Sequence, residues 1–410
     1  MSKVSTGWAL GLLWVAAPWC LSSGVGLGLL AQIGIAATVL MSYHLLLGQG
    51  GLLSFGHAVY VGAGAYVVVH AMAWGVSGAW GVALVPLFGG LVAGALALLT
   101  GWVSTRHAAM PFAMITLGVG ELVWALSHML PTWFGGEGGL GLDRGVGAEA
   151  GAWSWGPVQH VTALVSIYTV RCVGLMVAWT TTPMGRLLNA VRDNPLRAAS
   201  LGVNPHRIRH AAFVVSATFA GIAGGLAALW FERVSPEVFS THRSGAYLLF
   251  AFIGGATVLA GPLLGAVLMV VALVVGSSWT PAWLLYLGVL FVVLLLVEPG
   301  GLAGALMRGW RWAMAARVPN GGHEWLCVAR RTACGLSWVV VIVAAVVGVE
   351  MLYFWQLSSS QGTLMTWWPE HAWAWSVDVA APRSWWALLA VAAVSGLLGW
   401  RLRPQREVSA

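Results

Sequence analysis

Between residues 48 and 58 the chain reads Gly48-Gln49-Gly50-Gly51-Leu52-Leu53-Ser54-Phe55-Gly56-His57-Ala58, and it continues through Gly62-Ala63-Gly64-Ala65-Tyr66. Long apolar runs lie on both sides, so glycine-dense backbone carrying Gln49, Ser54 and His57 falls where an unbroken helix would otherwise run. A second stretch has the same character: Phe252-Ile253-Gly254-Gly255-Ala256-Thr257, then Gly261-Pro262 and Gly265-Ala266. Interrupted apolar segments in corresponding places of two halves predict an inverted repeat around a midplane path. Small residues also let helices approach closely with no path at all. Both readings stand, since a wall of glycines brings helices together and bares backbone groups. For His57 alone, hydrogen-bonded packing is favoured over a ligand role.

The surroundings of these stretches set the class. Of 410 residues, 59% are hydrophobic and 8% charged, against about 25% charged in ordinary soluble chains. No soluble fold hides that much apolar surface, and disorder is excluded for the same reason. Spanning the hydrocarbon takes roughly 20 apolar residues. Such runs fall at 8 to 22, 26 to 47, 52 to 73, 80 to 103, 110 to 130, 160 to 181, 210 to 231, 246 to 260, 262 to 278, 283 to 297, 334 to 356 and 384 to 400. The eighth abuts the ninth through the second glycine stretch and reads as a broken helix. The expected fold is therefore an all-α integral membrane protein.

Basic residues orient it. With residue 1 inside, most of the twenty Lys and Arg fall on the cytoplasmic side, and only Arg144, Arg233, Arg243 and Arg383 lie outside. Both termini are then cytoplasmic, and the formal charge of +7 becomes a topology signal beside an anionic leaflet rather than a nucleic-acid footprint. The first apolar run lacks a clear cleavage site and reads as a retained helix. Cys20, Cys172, Cys327 and Cys334 show no metal spacing and read as packing residues. Trp355, Trp367, Trp368, Trp373, Trp375, Trp385 and Trp386 read as interfacial anchors on an outer loop.

Catalytic chemistry has little to work with. Lys3 is the only lysine, so no phosphate loop ending in Gly-Lys-Ser or Gly-Lys-Thr exists here. His206 and His210 are spaced i, i+4, but Arg207 and Arg209 between them repel a cation, and no metal site is expected. Ser54 and His57 lack the third, orienting group of a nucleophilic site.

Residues 182 to 210 form the longest cytoplasmic connection. Thr182-Pro183, Asn194-Pro195 and Asn204-Pro205 each put a capping side chain before a proline, which predicts three short helices in series. In the first, Leu187, Leu188 and Val191 share a face away from Arg186, Asn189 and Arg192; the second ends at Gly202, a natural C-cap. Such an amphipathic segment either lies on lipid headgroups or docks into a partner, and physics divides these evenly. Inside the membrane, Glu121 shares a helical face with His128, and Arg171 sits mid-span. Each charge should face protein or water; a mutual Glu121–Arg171 pair or path lining would serve, and the structural role is favoured for Glu121.

Together these residues resemble the permease subunits of branched-chain amino acid ABC transporters. The resemblance runs in order over residues 26 to 306. It is carried by Leu47-Gly48-Gln49, Leu53 to Ala58, Gly62 to Tyr66, Ile115-Thr116-Leu117 before Glu121, and Gly135-Gly136-Glu137-Gly138-Gly139-Leu140. Further along it rests on Thr182-Pro183-Met184-Gly185-Arg186, Ala190 to Asn194, Arg197 to Gly202, the second glycine stretch, and Pro299-Gly300-Gly301-Leu302.

The resemblance implies a core at 1–306 of about ten helices in two inverted halves. Residues 307–410 add about two more helices and the tryptophan-rich loop. It makes 182–210 the segment that docks on a cytoplasmic ATPase, through Arg186, Arg192, Asp193, Asn194, Arg197, Ala198, Ala199, Leu201 and Gly202. Gln49, Ser54, His57, Gly62, Glu121, Gly254 and Gly255 become the expected translocation path. Implied partners are a second related permease, two ATP-binding subunits that carry ATP-Mg, and a periplasmic amino-acid-binding protein, in a bacterial inner membrane. No cofactor and no catalysis are implied for this chain. Urea or short-amide import is the alternative substrate reading, and a passive small-solute channel a weaker one. Arg171 and the 307–410 extension depart from the family pattern.

Overall fold

The computed structural model describes residues 2–21, 23–145, 154–280, 282–298, 300–315, 333, 337, 340–341, 343–355, 364–367, 375–378 and 381–401. Cys327, Cys334, Trp368, Trp373 and part of the expected run 334 to 356 lie outside these. The chain is mostly helical: α1 Ser2–Cys20, α2 Gly24–His44, α3 His57–Ala73, α4 Gly78–Ser104, α5 Met110–Met129, α6 Pro131–Phe134, α7 Val158–Thr181, α8 Pro183–Asp193, α9 Pro195–Ser200 and α10 Pro205–Phe231. There follow α11 Thr241–Gly254, α12 Gly261–Val270, α13 Ser277–Trp279, α14 Trp283–Val297, α15 Gly301–Ala315, α16 Val343–Trp355 and α17 Pro382–Arg401. Two short antiparallel ribbons accompany the helices. β1 Leu140–Gly141 pairs with β2 Arg233–Val234, and β3 Leu364–Trp367 pairs with β4 Trp375–Asp378, placing Trp367 opposite Trp375.

Among the described residues, five helical stretches are long and apolar enough to cross a membrane: Gly24–Gln49, Gly78–Ser104, Met110–Met129, Val158–Thr181 and Pro205–Phe231. A sixth is counted if Trp283–Leu296 and Gly301–Trp310, bent at the break between them, form one span. The other expected spans are shorter apolar helices, among them His57–Ala73 and Gly261–Gly276. Their shortness has a local cause. The run expected at 52 to 73 spends its first five residues outside any helix, and the run at 246 to 260 stops at Gly254.

Contacts divide the chain into two compact units. One holds residues to Val274 plus Phe291–Leu306; the other holds Val275–Leu290 plus the residues from Met307. In the first, α10 is central and packs most extensively on α4, α3 and α2. The contact is built on absent side chains: Gly64 faces the backbone of Gly221, Gly224 faces the carbonyl of Val61, and Gly90 and Gly94 of α4 meet Ile222 and Thr218. Lipid tails are as apolar as leucine, so helices here gain by dispersion at close range, which small residues permit. In the second unit the carboxylate of Glu350 accepts hydrogen bonds from Thr280 and, at 2.6 Å, from Tyr286 Oη. A buried carboxylate needs such donors.

The loop after α6 is pinned by Arg144, 8% exposed, which donates to the carbonyls of Trp155 (3.0 Å), Leu229 (3.0 Å), Trp230 (3.2 Å) and Gly156 (3.3 Å). Leu229 and Trp230 belong to the last turn of α10, whose carbonyls lack helical partners. The Arg144 Nε to Glu232 ion pair at 3.4 Å is half solvated and contributes under about 1 kcal/mol. The carbonyls dominate. Arg144→Met is expected to destabilise the protein by about 2 to 3 kcal/mol, read as a lower thermal unfolding midpoint. Arg144→Lys, which cannot fork to four acceptors, should recover only part.

Candidate functional site

Broken backbone inside a membrane must find its hydrogen bonds in the protein, and the break after α2 does so completely enough to trace. From His44 the helix loosens into a π turn at Leu45–Gln49. The amides of Gly50 and Leu52 return to Leu46 O at 3.1 and 2.9 Å, and that of Gly51 to Leu47 O at 3.1 Å. Gly51 takes φ +64°, a left-handed conformation that suits glycine. Beyond it the chain is held by side chains of other helices. Phe55 N donates to Thr116 Oγ1 of α5 at 3.2 Å and Ala58 N to Ser244 Oγ of α11 at 3.1 Å, while Ser54 O accepts from Tyr43 Oη of α2. Gly56 lies against Thr116 O, where no Cβ fits.

His57, wholly buried, opens α3. Its Nε2 lies 2.9 Å from Ser42 Oγ, and that hydroxyl gives its only proton to Val39 O at 2.7 Å. His57 Nε2 therefore carries the hydrogen and donates to Ser42. The Tyr43 ring stands edge-on at 5.0 Å, and Ser216 of α10 donates to Ser42 O. His57 is thus hydrogen-bonded through Nε2, while its buried Nδ1 has no protein partner. Ser54 is buried as well, its hydroxyl without a protein partner.

The other expected path residues are placed as follows. Gly62 faces the Phe239 ring, which stacks on Tyr66 at 5.4 Å. Gly254 closes α11 against Gly261 O, and Gly255 abuts Gly300 O. Glu121 is exposed on α5 and accepts a hydrogen bond from Thr241. No ion pair joins it to Arg171, which is exposed on α7, so of the two roles left open for these charges mutual pairing is not formed; Thr241 supplies the donor to Glu121. Next to that contact a cavity of about 400 Å³ is lined by Trp124, His128, Glu137, Ser235, Glu237 and His242.

Two of the three short helices expected in 182–210 form, as α8 and α9, while the third cap opens the 27-residue α10; all three caps close. Thr182 Oγ1 accepts from Gly185 N at 3.3 Å, Asn194 Oδ1 from Arg197 N at 2.9 Å, and Asn204 Oδ1 from His206 N at 3.0 Å and Arg207 N at 3.3 Å. Gly202 follows α9 at φ +82°. The apolar stripe of α8, however, neither lies on lipid nor awaits a partner. Leu188 and Val191 are buried with Ala198, Ile208 and Ala212, so α8 and α9 pack onto the start of α10. Ala198, expected at the docking surface, holds α9 from beneath. What remains outward is the α9 tip: Leu196 is 82% and Leu201 78% exposed, with Arg197, Ala199 and Gly202 exposed around them. Arg186 and Asn194 are exposed too, and Arg192 pairs with Asp193 at 3.0 Å.

One connection was not visible in the residue pattern. Asn189 Nδ2 of α8 donates to Gln49 Oε1 at 2.8 Å, and Arg192 Nη1 donates to Gly48 O. Segments about 140 positions apart thus meet, α8 being bonded to the helix break. The polar residues Gln49 and Asn189 gave each half of the signal, but nothing in the sequence pairs them.

Multiple apolar helices around a glycine break, with a capped helical block bonded to that break, define a multi-pass membrane protein of the transport permease class. The chain belongs to the family described as branched-chain amino acid transport system / permease component, whose model matches residues 26–297. It is 30% identical over 322 residues to the high-affinity branched-chain amino acid transport system permease protein LivM of Escherichia coli K12, covering 72% of this chain and 73% of that one. It is 29% identical to LivM of Salmonella typhimurium, of which 66% is covered. Against the permease protein LivH of the same Salmonella strain it is 23% identical over 293 residues, 65% of this chain and 91% of the relative. No solved structure matches the chain significantly.

Proposed function

We propose that this chain is one membrane subunit of an ATP-driven importer of branched-chain or other small amino acids. A second related permease, two ATP-binding subunits and a periplasmic binding protein complete the assembly, with the 182–210 side facing the cytoplasm of a bacterial inner membrane. The observation that carries the proposal is the α8–α9 block. Its tip offers Leu196 and Leu201 to a partner, its apolar face is locked onto α10, and Asn189 and Arg192 bond it to the break at Gly48 and Gln49. Movement imposed at the tip by nucleotide binding would reach the membrane interior through rigid contacts. The breaks at 48–56 and 254–261 occupy corresponding places in the two proposed halves of the 1–306 core, with Ser54, Gly62, Glu121 and Gly255 along the path.

The names of the relatives support the substrate class. ATP-Mg binds the partner subunits, and this chain performs no chemistry. The test is co-purification of the assembled complex with ligand-stimulated ATP hydrolysis. Leu196→Asp with Leu201→Asp is expected to lose the ATPase subunits and all uptake while the chain stays in the membrane. Retention of the ATPases at wild-type ratio would remove α9 as the docking element.

A further inference from the structure

His206 and His210, with the arginines between them, have no part in the coupling block or the break, yet they belong to a built cluster. Trp102, in the last turn of α4, is 52% exposed, and Leu98, Leu99 and Val103 beside it also face outward. The guanidinium of Arg106 lies 5.5 Å over the Trp102 ring. His206 Nε2 is 3.2 Å from Trp102 O and therefore donates to it. The His206 and His210 rings stand edge-on to the indole at 5.1 and 5.9 Å and stack on one another at 6.0 Å. Gly101 makes room, since a Cβ there would lie 2.6 Å from Phe213 and 3.2 Å from His210 Nδ1.

Among the described residues no ion pair reaches Arg106, Arg207 or Arg209. Arg106 and Arg207 are exposed, Arg209 is adjacent in α10, and no acidic residue occurs in 98–120 or 194–231. Arg209 Nε and His210 Nδ1 are buried atoms without a protein partner. Closed off from solvent, these atoms are not open to a ligand; the exposed guanidiniums of Arg106 and Arg207 are. The apolar side chains that continue outward from Trp102, and the indole itself, place the cluster at the level where headgroups meet acyl chains.

We propose that Trp102, Arg106, His206 and Arg207 form a site for the phosphate of an anionic phospholipid, its acyl chain lying along Leu98, Leu99 and Val103. A metal ion does not suit two guanidiniums, and a free anion would not need the exposed leucines. The site fixes the α4–α10 contact from the membrane side, and occupancy stabilises the subunit.

The test compares the purified full-length chain with Arg106→Gln/Arg207→Gln in nanodiscs of phosphatidylcholine alone or of equal parts phosphatidylcholine and phosphatidylglycerol. A nanodisc presents the lipid on both faces, so insertion direction does not affect the result. Phosphatidylglycerol should raise the thermal midpoint of the wild type and not of the double variant. Native mass spectrometry should show phosphatidylglycerol retention falling about fivefold per arginine removed. Arg106→Lys/Arg207→Lys, which keeps the charge, should retain most binding. Equal retention by wild type and Gln variant would overturn the site. So would normal lipid retention with loss of ATPase subunits from the assembled complex, which would make the cluster a protein contact.

Discussion

Replacing Gly224 with alanine is expected to leave little folded protein in the membrane, although the change adds a single methyl group. The Cβ would land on the carbonyl of Val61 in α3, and a backbone atom cannot swing aside as a side chain can. The neighbouring contacts offer no slack. Gly64 meets Gly221, and Gly221 in turn meets Ala93 and Gly89 of α4, so separating α10 from α3 also opens the α4 contact. Overpacking costs typically 1 to 3 kcal/mol where side chains adjust; against backbone at the hub of three helices, a loss of about 3 kcal/mol or more is expected. That is a large part of a marginal stability. Gly118→Ala on α5 and Gly174→Ala on α7 are the controls, because an added Cβ meets nothing within 4 Å at either. Thermal unfolding of the three purified variants, with membrane yield, decides the matter. If Gly224→Ala matches the controls, the α3–α10 approach is not as close as described.

Much of the fold was legible because membrane physics leaves few choices. Apolar runs of sufficient length and caps followed by proline placed the long helices and the starts of α8, α9 and α10, and glycine marked both breaks. What stayed hidden was which polar groups meet. Leu187, Leu188 and Val191 were correctly read as one face, yet amphipathicity alone does not distinguish lipid, partner or the chain's own α10, and the third won. Glu121 and Arg171 looked like natural partners because both are costly in lipid, but pairing depends on which helices touch. α5 carries Glu121 to α11, where Thr241 waits. Arg144 reads in the sequence as a lone loop cation, although it caps the end of α10. Composition shows that buried polar groups must be few; it does not show how they are matched across long sequence separations.

Arg192→Gln should separate docking from transport on the proposed function. The side chain does three things at once: Nη1 donates to Gly48 O, Nη2 pairs with Asp193 at 3.0 Å, and its methylene stem covers Gly51, where an added Cβ would come within 2.9 Å of Cγ. The Asp193 pair is exposed and contributes little. The bond to Gly48 counts for more, because that carbonyl sits in the π turn where the helical ladder has loosened, and a charged donor there is worth about 1.5 to 3 kcal/mol. Glutamine is shorter and neutral, so it loses that bond while the buried Leu188, Val191 and Ala198 keep the block folded. The ATPase subunits should therefore remain bound and hydrolyse ATP at their basal rate, while ligand-dependent uptake falls about tenfold or more, the ratio set by a lost bond of that strength. Asn189→Leu, which cuts the 2.8 Å bond to Gln49, should do the same more weakly because neither partner is charged. The pattern to look for is uptake lost with assembly kept, the reverse of the Leu196 and Leu201 substitutions, where assembly goes first. Wild-type uptake by Arg192→Gln in reconstituted vesicles would mean that movement of the α9 tip reaches the membrane through α10 alone.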